Sequence, residues 1–193
     1  VEQQSDTVWR QADKSRVPRV AFINKMDRVG AEHERVVGEI REKLKAKPLL
    51  LQVPIGSEEK FTGVVDLVTE RALIWDDDRL GANYREEPVP AELAETVKAH
   101  RDLLIETLAD HDDSIMELYL EGKSPEPAQL KAAIRSATLK IEVIPVVMGS
   151  AFRNKGVQPM LDAVVEYLPS PLDLPPVVGK VDDGKMAERW PRD

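Results

Sequence analysis

The chain has 193 residues, of which 42% are hydrophobic, 32% charged and 5% aromatic, a composition that supports a buried core and excludes extensive disorder. Its 27 basic residues against 35 acidic ones leave a net charge of −8, which argues against a surface that wraps nucleic acid electrostatically and gives no reason to expect DNA as a partner. With no cysteine there is no disulfide framework, thiolate metal site or cysteine nucleophile, and no apolar run approaches the roughly 18 residues of a membrane helix, so a cytoplasmic protein is expected.

The chain opens at Val1 rather than Met, and 1–6 reads as the run-in to a helix already in progress, so a piece of a longer protein is expected. A helix is predicted over 3–14, with Val8 and Ala12 on its apolar face and Pro18 bounding it. The short apolar run 19–23 has the character of a buried parallel strand and stops abruptly at Asn24-Lys25-Met26-Asp27. A helix over 32–45 follows, carrying Val36, Val37, Ile40 and Leu44, and Pro48 closes it. Runs 49–55, 62–68 and 71–75 read as three strands of a small antiparallel or mixed sheet. Asp76-Asp77-Asp78 and 88–90 mark a surface loop, and helices are predicted over 91–108, 113–120 and 127–139.

A second buried strand is predicted at 144–148, followed by the loop Gly149-Ser150-Ala151-Phe152-Arg153-Asn154-Lys155-Gly156. The helix over 157–168 is expected to use Val157, Leu161, Val164 and Leu168 as its buried face before Pro169-Ser170-Pro171 halts it. From Leu174 the chain is proline-rich, then charged, and reads as linker. The fold class is α/β: parallel strands at about 19–23 and 144–148 with flanking helices, plus an inserted α+β subdomain. The expected divisions are 1–46, 47–140, 141–172 and 173–193.

The loop at 24–27 answers a particular recognition problem. A carboxylate at Asp27 can accept two hydrogen bonds from the ring N–H and exocyclic amino group of guanine, whereas adenine lacks that pair of donors. A site built on such hydrogen bonds rejects the wrong analogue by about 10⁴ or more. Asn24 can offer its amide to the base N7 and tie the loop to its neighbours, the Lys25 stem can lie along the purine face, and Met26 is expected to point into the core. In the second loop, small residues at Ser150 and Ala151 let backbone N–H groups approach a ligand, and guanine O6 is an acceptor they could satisfy. Either loop alone is also a plain strand-end turn; together, at the ends of two buried strands, they are informative.

Other features carry less. Gly179 to Lys185 spells a phosphate loop as far as its lysine, but Met186 replaces the required hydroxyl and Asp182 and Asp183 would repel phosphate. Asp27-Arg28-Val29-Gly30 and Asp78-Arg79-Leu80-Gly81 read as turns, and Asp76-Asp77-Asp78 as a solvated surface rather than a metal site. His33, His100 and His111 are each expected at the surface, and no catalytic set emerges. Glu92, Glu95, Glu106, Lys98, Arg101 and Asp102 read as a solvated helix face.

Asn24-Lys25-Met26-Asp27 and Gly149-Ser150-Ala151 resemble the fourth and fifth nucleotide-binding motifs of a translational GTPase. The runs 4–12 (QSDTVWRQA), 61–67 (FTGVVDL), 154–159 (NKGVQP) and 167–171 (YLPSP) narrow the resemblance to the bacterial-type elongation factor G family. The likeness covers essentially the whole chain, and in that family a long insertion, the G′ subdomain, separates the two base-reading loops.

The resemblance implies a partial P-loop GTPase fold interrupted by G′, GTP/GDP as ligand, and a parent protein that hydrolyses GTP to promote ribosomal translocation. It further implies contacts with the ribosome, both rRNA and ribosomal proteins, with the stalk protein as the candidate partner of G′. Asn24, Lys25, Asp27, Ser150 and Ala151 are the implied guanine-binding residues. The family's phosphate loop, first switch and Asp-x-Pro-Gly-His motif do not occur in these 193 residues. Mg²⁺ would be held by those absent residues, and the chain by itself is expected to be inactive. A non-catalytic interaction module, or a related ribosomal protection, release or recycling factor, is the alternative.

Overall fold

The computed structural model describes residues 3–76, 81, 83–173, 175–180 and 186–190. The chain runs α1 (Gln3–Lys14), β1 (Ala21–Ile23), α2 (His33–Lys43), β2 (Pro48–Leu50), β3 (Gln52–Ile55), β4 (Gly63–Asp66), β5 (Arg71–Trp75) and β6 (Tyr84–Pro88). It continues through α3 (Ala94–Ala109), α4 (Asp113–Leu120), α5 (Pro127–Leu139), β7 (Ile144–Met148), α6 (Val157–Tyr167), β8 (Val177–Lys180) and β9 (Met186–Arg189). Among the described residues the strands form three sheets: β1-β7-β2, parallel; β3-β4-β5-β6, antiparallel; and the antiparallel pair β8-β9.

Strand β7 is buried along its whole length and lies between β1 and β2. It does so despite Pro145, which has no N–H to give a ladder. Successive N–H groups of a strand point to opposite neighbours: that of Ile144 goes to Lys47 O on the β2 side and that of Gly149 to Ile23 O on the β1 side. Pro145 has the parity of Gly149, so its missing donor faces β1 one step before the ladder begins at Ala21↔Val146. Proline therefore breaks no bond.

Leu51 is where the chain changes sheets. Its N–H donates to Val146 O (3.0 Å) while its carbonyl accepts from Leu67 N–H (2.9 Å), so one buried residue belongs to both ladders. Beyond the end of β2, the buried Gln52 side chain substitutes for a strand, its Oε1 accepting the Met148 N–H at 2.9 Å. The apolar run 49–55, expected as one strand, is thus split into β2 and β3, and β2 pairs with β7 rather than with the antiparallel sheet.

Period-two alternation sends neighbouring side chains to two cores. Val53, Val65, Ala72 and Val147 face a core roofed by α3, α4, α5 and α6, whose Leu104, Leu108, Ile115, Leu130 and Ile134 are buried. Val64, Leu73, Trp75, Val146 and Met148 face a second core with Met26, Ile40 and Phe61. The helices are set by local signals. Asp112 caps α4 by accepting the N–H groups of Ser114 and Ile115, and α5 starts with Pro127 in its first turn while Gln129 accepts the Glu126 N–H.

Several expectations need correction. Residues 84–88, taken as part of a surface loop, form the edge strand β6, whose Arg85, Glu86 and Glu87 blunt that edge with charge. The tail read as featureless linker carries the antiparallel pair β8-β9. Helix α6 buries Pro159, Ala163 and Tyr167, while Leu161 and Val164 of the expected face are 54% and 38% exposed. Both stripes are apolar at helical spacing, and only the position of α5 chooses between them. Val8 of α1 is likewise exposed.

Arg101, read as solvated, is buried, donating to Leu67 O, Val68 O and Pro125 O and pairing with Glu70. His33, His100 and His111 are all partly covered, and His111 pairs with Glu142 at 3.3 Å. The phosphate-loop-like run 179–185 and the stretch 77–80 lie wholly or partly outside the described residues.

Candidate nucleotide site

The loops after β1 and β7 leave the parallel sheet side by side because their strands are paired in register, Ile23 opposite Met148. The ladder continues past both strand ends. Gly149 N–H donates to Ile23 O (2.9 Å) and Met26 N–H to Gly149 O (3.1 Å). Gly149 is required at this approach, since a Cβ there would fall 2.2 Å from Lys155 O and 3.0 Å from the Phe22 ring. Met26 is buried, as its apolar character predicted, and anchors the first loop in the second core.

Asn24 ties the two loops directly. Its Oδ1 accepts the N–H of Lys25 (2.8 Å) and, across 127 positions of sequence, the N–H of Ala151 (3.0 Å). Lys25 sits at φ 66°, a left-handed backbone that a non-glycine residue adopts only under local constraint. The second loop is closed by reciprocal bonds between Ser150 and Lys155 (2.9 and 3.1 Å) around a short turn over Ala151–Arg153, with Asn154 at φ 54° and Gly156 at φ 84°. The Asp27-Arg28-Val29-Gly30 segment is a turn, as read.

The Asp27 side chain is 10% exposed and pairs through Oδ2 with Arg153 Nε at 3.2 Å. Its pKa lies below the ordinary carboxylate value of 3.8. The adjacent Ser150 hydroxyl contributes most to that lowering, against the opposing effect of desolvation, with its own backbone N–H, Arg153 and Arg28 adding to it. The Ser150 hydroxyl is itself buried and closes no hydrogen bond of ordinary geometry. Asp27 is therefore anionic at neutral pH and able to accept a pair of N–H donors. Asn24, Asp27, Ser150 and Ala151 are brought together. Lys25 lines, with Asn24, Arg28, Val29, Glu32 and Arg35, a groove of about 180 Å³ beside the first loop.

The backbone donors named for guanine O6 are already engaged: Ser150 N–H with Lys155 O, and Ala151 N–H with Asn24 Oδ1. An Ala151 contact to O6 competes with Asn24 for the same proton. Among the described residues no group of three or more His, Asp or Glu side chains could hold a metal ion.

Residues that lie between the two loops in sequence hold them through bonds that the sequence did not predict. Glu58 Oε1 accepts Gly30 N–H (2.8 Å), and the buried Lys155 Nζ donates to Phe61 O (3.2 Å). Gln158 accepts from Trp75 Nε1 (3.2 Å) and donates to Gly81 O (3.0 Å). The turn at 56–62 thus holds both candidate loops, while Trp75 and Gly81 hold the start of α6. All of these partners are distant in sequence, and no local pattern marks them.

Residues 1–170 match the family model described as elongation factor Tu GTP binding domain. Elongation factor G of Rhodopseudomonas palustris (strain BisB18) is 49% identical over all 193 residues, and the chain spans 28% of that protein's length. A crystal structure from Thermus thermophilus superposes with a TM-score of 0.78 at 27% identity, covering 92% of this chain and 27% of that one.

Proposed function

The chain belongs to the elongation factor Tu GTP binding domain family, and from that premise we propose that it forms the guanine-reading part and the insertion of a factor of the elongation factor G type. The observation that carries this reading is the joining of the two loops through Asn24 Oδ1 and Ala151 N–H at 3.0 Å, beside an anionic Asp27. Asp27 accepts the N1–H and 2-amino donors of guanine, Lys25 covers the purine face, Asn24 holds the two loops together, and the backbone at Ser150 and Ala151 lies toward O6.

The protein carrying these residues uses GTP to promote movement of tRNA and mRNA on the ribosome, in the cytoplasm. The insertion serves as a ribosome-facing surface. Phosphates and Mg²⁺ are held by motifs that these 193 residues do not contain, so the chain alone binds nucleotide weakly and does not hydrolyse it. The divisions at 1–46, 47–140, 141–172 and 173–193 are kept as proposed functional units, although β2, inside the second, pairs with β7 of the parallel sheet.

The test is calorimetric titration of GDP, with ADP as control, into this chain and into the Rhodopseudomonas palustris relative carrying this chain in place of its aligned segment. Tight GDP binding by the chimera alone, with ADP ignored, is the expected result. Asp27→Asn presents one acceptor and one donor in place of two acceptors, which matches xanthine, so preference should pass from GDP to xanthosine diphosphate. Unchanged preference in that variant would remove Asp27 from the site.

A further inference from the structure

Arg153 stands in the loop after β7, and its guanidinium Nε lies 3.2 Å from Asp27 Oδ2. The side chain is 41% exposed, whereas the carboxylate beneath it is only 10% exposed. The backbone of Arg153 is held: its N–H donates to Ser150 O (3.1 Å), and Gly81 packs so closely that a Cβ there would lie 2.5 Å from Arg153 O. Only the side chain can swing.

The geometry points to Arg153 as an affinity- and specificity-determining gate on Asp27, an inference that rests on the guanine reading above. A guanidinium edge presents N–H donors to a carboxylate much as guanine presents its ring N–H and amino group, so the two compete for one anion. Guanine uses both carboxylate oxygens and so meets the Arg153 guanidinium at Oδ2, where the two share one oxygen's acceptor capacity. Hypoxanthine has the ring N–H but not the amino group and can use the other oxygen alone. Arg153 therefore taxes guanine more than hypoxanthine, lowering base affinity and keeping release fast.

The test is a titration of GDP, inosine diphosphate and ADP into the 193-residue chain and its Arg153→Gln variant, followed by NMR of the backbone amides, which detects weak binding. Taking the ratio of GDP to inosine diphosphate affinity cancels the general loss of a positive charge, which acts alike on the two diphosphates. Weakening a partly exposed ion pair costs modestly, so the ratio should rise about two- to fivefold in Arg153→Gln. The gap between the two proteins should narrow as salt screens the pair.

A ratio that is unchanged or lower, with GDP still preferred to ADP, overturns the gate and leaves the guanine reading standing. GDP and ADP indistinguishable in both proteins overturns the guanine reading and the gate with it. Arg153 is a surface side chain, and an amide spectrum matching the parent outside residues 24–30 and 149–156 shows that the variant is folded.

Discussion

The two main sheets divide the work unequally. The parallel sheet has strands of only three to five residues, yet both candidate loops hang from it. The antiparallel sheet holds no candidate base contact, but its Val53, Val65 and Ala72 are buried in the helix-roofed core, and with its turns it reaches across through Glu58, Phe61, Trp75 and Gly81. Parallel strands bring loop ends to one edge, where a ligand can be met. Rigidity at that edge comes from elsewhere, through polar latches drawn from the antiparallel sheet and its turns.

The largest way to break that division is Trp75→Ala. Trp75 is 2% exposed and bonded to Gln158, so truncation should cost about 3–5 kcal/mol in denaturant unfolding and shift the amides of 150–158 as well. Trp75→Phe sharpens the comparison, since it keeps most of the packing and loses the Gln158 bond, for about 0.5–1.5 kcal/mol. If neither variant disturbed the second loop, the latch would not be transmitting order.

Next in size is Asn24→Ala, which removes the acceptor shared by Lys25 and Ala151 and should cost about 1–2 kcal/mol. Its effect on GDP binding should exceed its effect on stability, because the parallel sheet and both cores remain. An Asn24→Ala chain that unfolds earlier yet binds GDP as before would reverse that order.

The smallest effect concerns acid, and it isolates the helical part of the insertion. Asp112, the cap of α4, has its pKa lowered below 3.8, first by the Ser114 hydroxyl and further by the backbone N–H groups of Ile115 and Ser114, against desolvation. The folded state therefore binds fewer protons than the unfolded chain there. The stabilisation is complete above 3.8 and is lost as pH falls through the lower folded value. At neutral pH Asp112→Ala should lose about 1 kcal/mol, and the two proteins should converge on acidification. A gap that persists below that window would assign the loss to something other than the charged cap.

Much was legible in sequence because it is local. The helices at Gln3–Lys14, Asp113–Leu120 and Pro127–Leu139 and the strands at Arg71–Trp75 and Ile144–Met148 end where their caps, prolines and apolar runs say they should. Asn24 and Asp27 were visible because their residue types are chemically specific at a strand end, and Ser150 and Ala151 only because their loop follows a second buried strand and pairs with the first. The edge strand Tyr84–Pro88 was hidden because its charged sequence lacks the alternation that marks a half-buried strand. The buried face of α6 was misread because two apolar stripes lie side by side, and burial depends on which neighbour arrives.

By itself, then, the sequence determined most of the helices and strands, the family likeness and the four residues gathered at one edge of the parallel sheet, all of them readable from short-range periodicity and residue chemistry. Only the tertiary structure decided that Leu51 would serve two sheets, that Gln52 would stand in for a missing strand, and that Arg153 would cover Asp27. Each of these depends on atoms brought within hydrogen-bonding reach by packing rather than by neighbouring positions in the chain. Hydrogen bonds and ion pairs act over a few ångströms, and sequence spacing does not say which distant residues will come that close.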